Sequence, residues 1–438
     1  MQNENIFICE NIGVADNGNL TFAGQDTVML AKKYGTPLYL MDEDRIRKIC
    51  RTYIGAVKKA FGDKGKVMYA SKASSFKRIY EIMLEEGMNI DVVSCGEIYT
   101  AYSAGYPLSN AYFHSNNKTD EDIAFAMDKG VGCFVVDNEE ELYAIDAEAR
   151  KRGIKQSILL RITPGIDPHT FEAVATGKVD SKFGSAIETG QAEQMIKIAL
   201  SLEGIELSGF HCHVGSQVFD SDVFLRSADV MLDFILDIKN KFGYVAKQLD
   251  LGGGFGVRYL ASDPVYSLED VISEIGDFVN KKVAALGIEL PIIGFEPGRS
   301  IVADAGMTLY SVGTVKKIPE FINYVSVDGG MTDNIRYALY GASYTLTLAN
   351  KATENHNMLC SVVGRCCESG DIIQENVYMP DSVTRGDYLA CMTTGAYHYS
   401  MASNYNRIGR PPIVMLREGT SYLAVRRETV ENLISLDI

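Results

Sequence analysis

From residue 67 to residue 300 the chain repeats one design. A short apolar run ends in polar or glycine residues, and a segment with helical spacing follows. The apolar runs predict eight strands: Val67–Ser71, Ile90–Ser94, Ala111–Ser115, Cys133–Asp137, Ile158–Thr163, Leu207–Val214, Gln248–Leu251 and Ile292–Glu296. Apolar positions three and four apart predict helices between them, among them Phe76–Glu86, Thr119–Lys129, Asn138–Arg152 and Gln191–Ser201. Alternating strands and helices imply a parallel sheet. Eight such units imply a closed (β/α)8 barrel of the TIM type rather than an open doubly wound sheet.

After Arg299 the period changes. Tyr310–Ile318, Tyr324–Asp328, Cys360–Arg365, Tyr388–Thr394, Pro412–Arg417 and Ser421–Arg426 read as strands joined by short polar turns. Near the N-terminus, Ile6–Cys9 and Leu20–Ala23 are short and strand-like. Thr36–Met41 is another strand, with Asp42 placed to cap a helix after it. The division expected is therefore an N-terminal segment (1–35) that joins the β domain, a barrel (36–305) and a C-terminal β-rich domain (306–438).

Composition narrows the class. At 438 residues the chain exceeds one ordinary core. A hydrophobic share of 46% with 23% charged residues is that of a globular protein. The net charge of −15 argues against a nucleic-acid or anionic-membrane surface. No apolar stretch is long enough to span a membrane. The first residues lack the basic region of a signal peptide. Nine cysteines without a CxxC pair fit free thiols in a reducing cytoplasm.

In a barrel of this kind chemistry collects where the strands end. The polar residues there are Lys72, Asp91 with Ser94, His114 with Asn116, Asp137, Arg161, His213, Gly252–Gly256, and Glu296 with Arg299. Any one could be an ordinary solvated side chain. Together they supply an amine able to form an imine, a carboxylate able to keep a pyridine nitrogen protonated, and a bare glycine loop for a phosphate. That set describes a pyridoxal phosphate site. The glycine run alone reads equally as a tight turn, and Arg299 could bind either a phosphate or a carboxylate. His211 and His213 share a strand face and could in principle hold a metal. The other four histidines show no metal-ligand spacing, so no metal is expected; His211 reads as a core residue and His213 as packed on a flat ring.

The ordered motifs Tyr69-Ala70-Ser71-Lys72-Ala73, Asp91-Val92-Val93-Ser94, Thr176-Gly177, Asp180–Gly184, His211–Gln217, the glycine loop, Glu296–Arg299, Cys367–Asp371 and Gly395-Ala396-Tyr397 cover nearly the whole chain. In them the chain resembles the fold-type III pyridoxal-phosphate decarboxylases, nearest the diaminopimelate decarboxylase branch. The resemblance implies pyridoxal 5'-phosphate bound covalently by Lys72, with His213, Ser216, Gly253, Gly254, Glu296, Pro297, Gly298, Arg299 and Tyr397 around it. It implies that Arg299, Arg336, Tyr340, Glu368 and Tyr397 bind substrate and that Cys367 donates a proton. It also implies a head-to-tail homodimer in which Cys367 and Glu368 reach the partner's Lys72. The reaction implied is decarboxylation of meso-2,6-diaminopimelate to L-lysine and carbon dioxide. The alternative substrates are ornithine, arginine or carboxynorspermidine. Arg365-Cys366 and Tyr337 depart from the pattern beside the substrate positions, and Cys366 puts a second thiol next to Cys367. Thr176-Gly177 suggests a mobile element over Phe171–Lys178.

Overall fold

A computed structural model describes residues 7–166, 181–265 and 267–438. The chain divides into two compact units, residues 49–256 with 266–300, and residues 1–48 with 257–265 and 301–438. Phe171–Lys178 lies outside the described residues.

The first unit is the barrel. Its strands are Gly65–Ala70, Asn89–Val92, Ala111–Phe113, Cys133–Val136, Gln156–Thr163, Ile205–His211, Gln248–Asp250 and Ile292–Phe295. Each pairs in parallel with the next, and the eighth returns to the first through Ile293↔Gly65, Gly294↔Lys66 and Phe295↔Val67. All eight apolar runs become strands because a closed parallel sheet is buried on both faces. Met68, Tyr112, Cys133, Val135 and Leu159 form one buried cluster drawn from the first, third, fourth and fifth of these strands.

Local chemistry sets where the helices begin and end. Ser94, Asn138 and Ser267 accept hydrogen bonds from the backbone N–H groups of Glu97, Glu141 and Asp270, and Thr119 with Asp122 forms a reciprocal capping box. Gly153, Gly243 and Gly287 end three helices in the left-handed conformation. The strand-to-helix junctions are therefore short and sharply defined, and the polar residues in them are held in place.

The second unit is mostly sheet. Its strands run in the order Ile372–Met379, Met358–Val363, Asn323–Val327, Gly306–Lys316, Leu38–Asp42, Ile413–Arg417 and Thr420–Val425. Tyr388–Met392 also pairs with Gly306–Lys316, and Leu346–Leu348 pairs with Tyr388–Met392. Leu20, Phe22, Leu38, Leu40, Met307, Leu309, Met392, Val414 and Leu416 share its core.

Three expectations change here. The strand at Leu38–Asp42 falls in the sheet unit, not at the head of the barrel. All five of its residues are buried, and it is satisfied by an antiparallel neighbour on one side and a parallel one on the other. Phe7–Cys9 forms no strand; Ile12–Val14 instead pairs with Leu20–Phe22 around a turn in which Gly18 takes φ +82. Leu346–Leu348 and Ile372–Met379 are additional strands. Asp42 caps the next helix as the sequence suggests, accepting the Arg45 N–H at 3.0 Å.

Candidate active site

Each barrel strand delivers a charged or polar group at or just past its C-terminal end. Lys72 stands exposed on the turn Ser71–Ala73, and Asp91, His114, Asp137, Arg161, His211, Asp250 and Glu296 follow around the ring. Glu296 is 7% exposed and has a histidine at each oxygen. His211 Nε2 is 3.0 Å from Oε2, and His114 Nε2 is 2.7 Å from Oε1. The His114 contact is close but not aligned, so Glu296 Oε1 is a buried acceptor with no hydrogen-bond donor. Burial alone would raise the Glu296 carboxyl pKa; the two imidazoles outweigh it and hold it well below the usual carboxylate range.

The neighbouring carboxyl groups shift the other way. Burial pushes Asp91 up to about 6, although His114 partly offsets it, and burial with the Glu296 charge pushes Asp250 well above its ordinary value. His213 is pushed well below the usual histidine range by burial, then by Lys72 and Arg161. Its Nδ1 accepts the Gly253 N–H at 3.3 Å, which fixes the ring's orientation. His211 thus turns to Glu296 and His213 to Gly253, and the ligand atoms of His114, His211 and Glu296 lie within 4.8 Å of one another.

The glycine loop approaches its surroundings too closely for side chains. A Cβ on Gly253 would lie 2.1 Å from the Glu296 carbonyl oxygen, and one on Gly254, at φ +109, would lie 2.2 Å from the Gly215 oxygen. Arg299 donates from Nε and Nη2 to Ser216 Oγ at 3.2 and 3.0 Å. The Pro297 carbonyl accepts the Ala70 N–H at 3.1 Å, and a Cβ on Gly298 would meet Ala70 at 2.9 Å. The segment carrying Glu296 is therefore pressed against the strand that leads to Lys72.

In the sheet unit, the Arg336 guanidinium lies 5.1 Å from the centroid of each of the Tyr340 and Tyr397 rings. Tyr397 takes φ +64. Cys367 and Glu368 are exposed on a loop, with the Cys367 N–H donating to Asn406 Oδ1 at 2.9 Å. Asp371 underpins that loop. It is buried, accepts the N–H groups of Met331 and Cys366 at 2.5 and 2.6 Å, and faces Gly330 and Gly364, where a Cβ would come within 2.4 Å of its carboxylate. Sequence reasoning quoted Asp371 only as a motif member and gave His114 no partner. The glycines at 330 and 364 were the available signal for a close-packed carboxylate.

The model of the family described as "Pyridoxal-dependent decarboxylase, pyridoxal binding domain" matches residues 46–303. The chain belongs to the pyridoxal-dependent decarboxylases. This decarboxylase is 44% identical to the diaminopimelate decarboxylase of Bacillus subtilis, over 96% of each chain. It is 45% identical to that of Bacillus methanolicus, over 95% of this chain and 96% of the relative. Its fold matches the crystal structure of diaminopimelate decarboxylase from M. jannaschii in complex with L-lysine at a TM-score of 0.89. That match has 33% identity and covers 100% of this chain and 99% of the other.

The decarboxylase's own residues fit the family's cofactor. Glu296 Oε1 is a buried acceptor lacking a donor, which a protonated ring nitrogen would satisfy. The loop at Gly253–Gly254 presents bare backbone, and Arg299 with Ser216 adds donors suited to a phosphate.

Proposed function

We propose that this protein decarboxylates meso-2,6-diaminopimelate to L-lysine and carbon dioxide with pyridoxal 5'-phosphate as cofactor. The observation that carries the reading is near-full-length likeness to curated diaminopimelate decarboxylases, joined to a buried carboxylate at the end of the eighth strand with one oxygen, Oε1, that has no donor. When bound, the cofactor supplies an electron sink for the pair released as carbon dioxide leaves.

The protein's residues do the rest. Lys72 offers its Nζ for covalent attachment. Glu296 holds the proton at the ring nitrogen. His213 packs against the ring, and Gly253, Gly254, Ser216 and Arg299 bind the phosphate. The Pro297-Gly298 turn sets the height of Glu296 and Arg299 at the rim. Arg336, in contact with two tyrosine rings, takes the distal carboxylate of the substrate, and Glu368 takes its distal amine. Tyr340 and Tyr397 wall that end, and Cys367 Sγ delivers a proton to the carbon that has lost carbon dioxide. Cys367 and Glu368 of one chain complete the site of a second in a homodimer. The enzyme works in the cytoplasm; among the described residues no helix is long and apolar enough to cross a membrane.

The test is carbon dioxide release from meso-diaminopimelate, ornithine, arginine and carboxynorspermidine side by side. Release with lysine formed from the first alone is expected. Release from ornithine alone would overturn the substrate, and no release from any would overturn the reaction.

A further inference from the structure

Three buried carboxylates, Asp91, Asp250 and Glu296, stand at the ends of the second, seventh and eighth barrel strands. Crowded in one buried rim, they cannot all be anions at comparable cost. The structure gives its histidines to one of them. His114 Nε2 lies 2.7 Å from Glu296 but 4.0 Å from Asp91. His211 Nε2 takes the other Glu296 oxygen, and the two rings meet edge to face, with centroids 4.9 Å apart at 72°. The rings come from the third and sixth strands, so neither can be placed by the segment that carries Glu296.

The proton on His211 can be located. Its Nδ1 is buried and has no hydrogen-bond partner among the described residues. A buried N–H without an acceptor is costly, whereas a lone pair left unmatched costs less, so the ring carries its proton on Nε2 and donates to Glu296. Burial, which pushes the His211 pKa down despite Glu296, agrees with a neutral ring. The same orphan argues against a metal. The His114, His211 and Glu296 ligand atoms lie within 4.8 Å of one another. A metal on Nε2 would force the proton to Nδ1, and a ligating histidine normally donates that proton to a partner.

We infer that His211, donating to Glu296 Oε2, and His114, whose Nε2 lies against Oε1 without an aligned hydrogen bond, are positioning residues that hold Glu296 in place and leave Oε1 to the ring nitrogen of the cofactor. The inference rests on the reading of this barrel as a pyridoxal phosphate site. Neither histidine touches the reacting atoms; both act through Glu296. The groups facing these three residues from the other strands are Lys72, Asp91, Arg161 and Asp250.

The test measures binding of pyridoxal 5'-phosphate and of its 1-deaza analogue, which has carbon in place of the ring nitrogen, to apoenzyme. The proteins are wild type, His211→Phe, His211→Gln and His114→Phe. Each Phe variant should weaken pyridoxal phosphate on the order of tenfold or more, while binding of the deaza analogue stays within about twofold of wild type, a spread well under one kcal/mol. His211→Gln, which keeps a donor, should recover most of the loss. Equal weakening of both ligands would make the histidines packing residues only and overturn the inference. Unchanged binding of both would overturn it as well. Wild type failing to bind pyridoxal phosphate at all would instead overturn the cofactor reading beneath it. Melting of each apo variant identifies any that has failed to fold, and His211→Leu or His114→Leu, which likewise lack the imidazole, then carries the test in place of Phe.

Discussion

Asp371→Ala should separate the binding of cofactor from the delivery of the proton. Asp371 accepts two backbone N–H groups, from Met331 at 2.5 Å and from Cys366 at 2.6 Å, one on each carboxylate oxygen. A hydrogen bond to a charged acceptor contributes about 1.5–3 kcal/mol when its donor is buried. Both donors here are part-buried, so water replaces some of what is lost, and a cost of about 2–4 kcal/mol is expected. Asp371→Asn keeps one acceptor oxygen and turns a donor towards the other N–H, so it should lose roughly half as much or more. The loop it underpins carries Cys367 and Glu368 next to Cys366. In a urea titration Asp371→Ala should unfold earlier, and kcat should fall by an order of magnitude or more as the thiol loses its fixed position. The dissociation constant for pyridoxal phosphate should stay near wild type, because Lys72, Glu296 and the glycine loop belong to the other unit. Stability within about 1 kcal/mol of wild type together with an unchanged kcat would refute the reasoning. So would a cofactor affinity that falls in step with kcat.

Two further outcomes are expected. Lys72→Ala should abolish the yellow covalent chromophore and turnover together; a variant that stayed yellow through a covalent link would remove Lys72 from its assigned place. Asp333 is fully buried, and burial raises its pKa from 3.8 to about 7 despite hydrogen bonds from Tyr310 and Gly330. The folded protein therefore binds more protons than the unfolded chain between those values, and stability falls as pH rises from about 4 through 7. Asp333→Asn still accepts from Tyr310 and does not ionise. Its amide turns a donor towards the Gly330 N–H, a cost that does not change with pH, so it should flatten that slope whatever its absolute stability. Urea unfolding at pH 5, 6, 7 and 8 checks this, and parallel slopes for the two proteins would count against it.

The barrel was legible because its signal is simple. Eight apolar runs with polar ends need only be counted, and each strand pairs with the next in sequence apart from the closure. The sheet unit was less so. Its order interleaves Leu38–Asp42 between strands more than 250 residues away, since Gly306–Lys316 and Ile413–Arg417 flank it. Ile372–Met379 was hidden by Glu375 and Asn376, both exposed, and by Asn376 at φ +54, which breaks the alternation a strand would show.

For the site, the sequence marks Asp91, His114, His211 and Glu296 as rim or strand-end residues but cannot say which faces which. Glu296 and His114 are separated by most of the barrel's length in sequence and meet only because strands in parallel register bring all their C-terminal ends to one rim. That meeting decides the electrostatics. Burial acts on Asp91, Asp250 and Glu296 alike and pushes each towards the neutral form. Only Glu296 gains an imidazole at each oxygen, so only Glu296 ends below its ordinary range while the other two end above it. A carboxylate that stays charged in a buried rim has little solvent to rely on. It needs partners fixed by other strands, and the barrel provides a donor, His211, on Oε2 and a second imidazole, His114, beside Oε1.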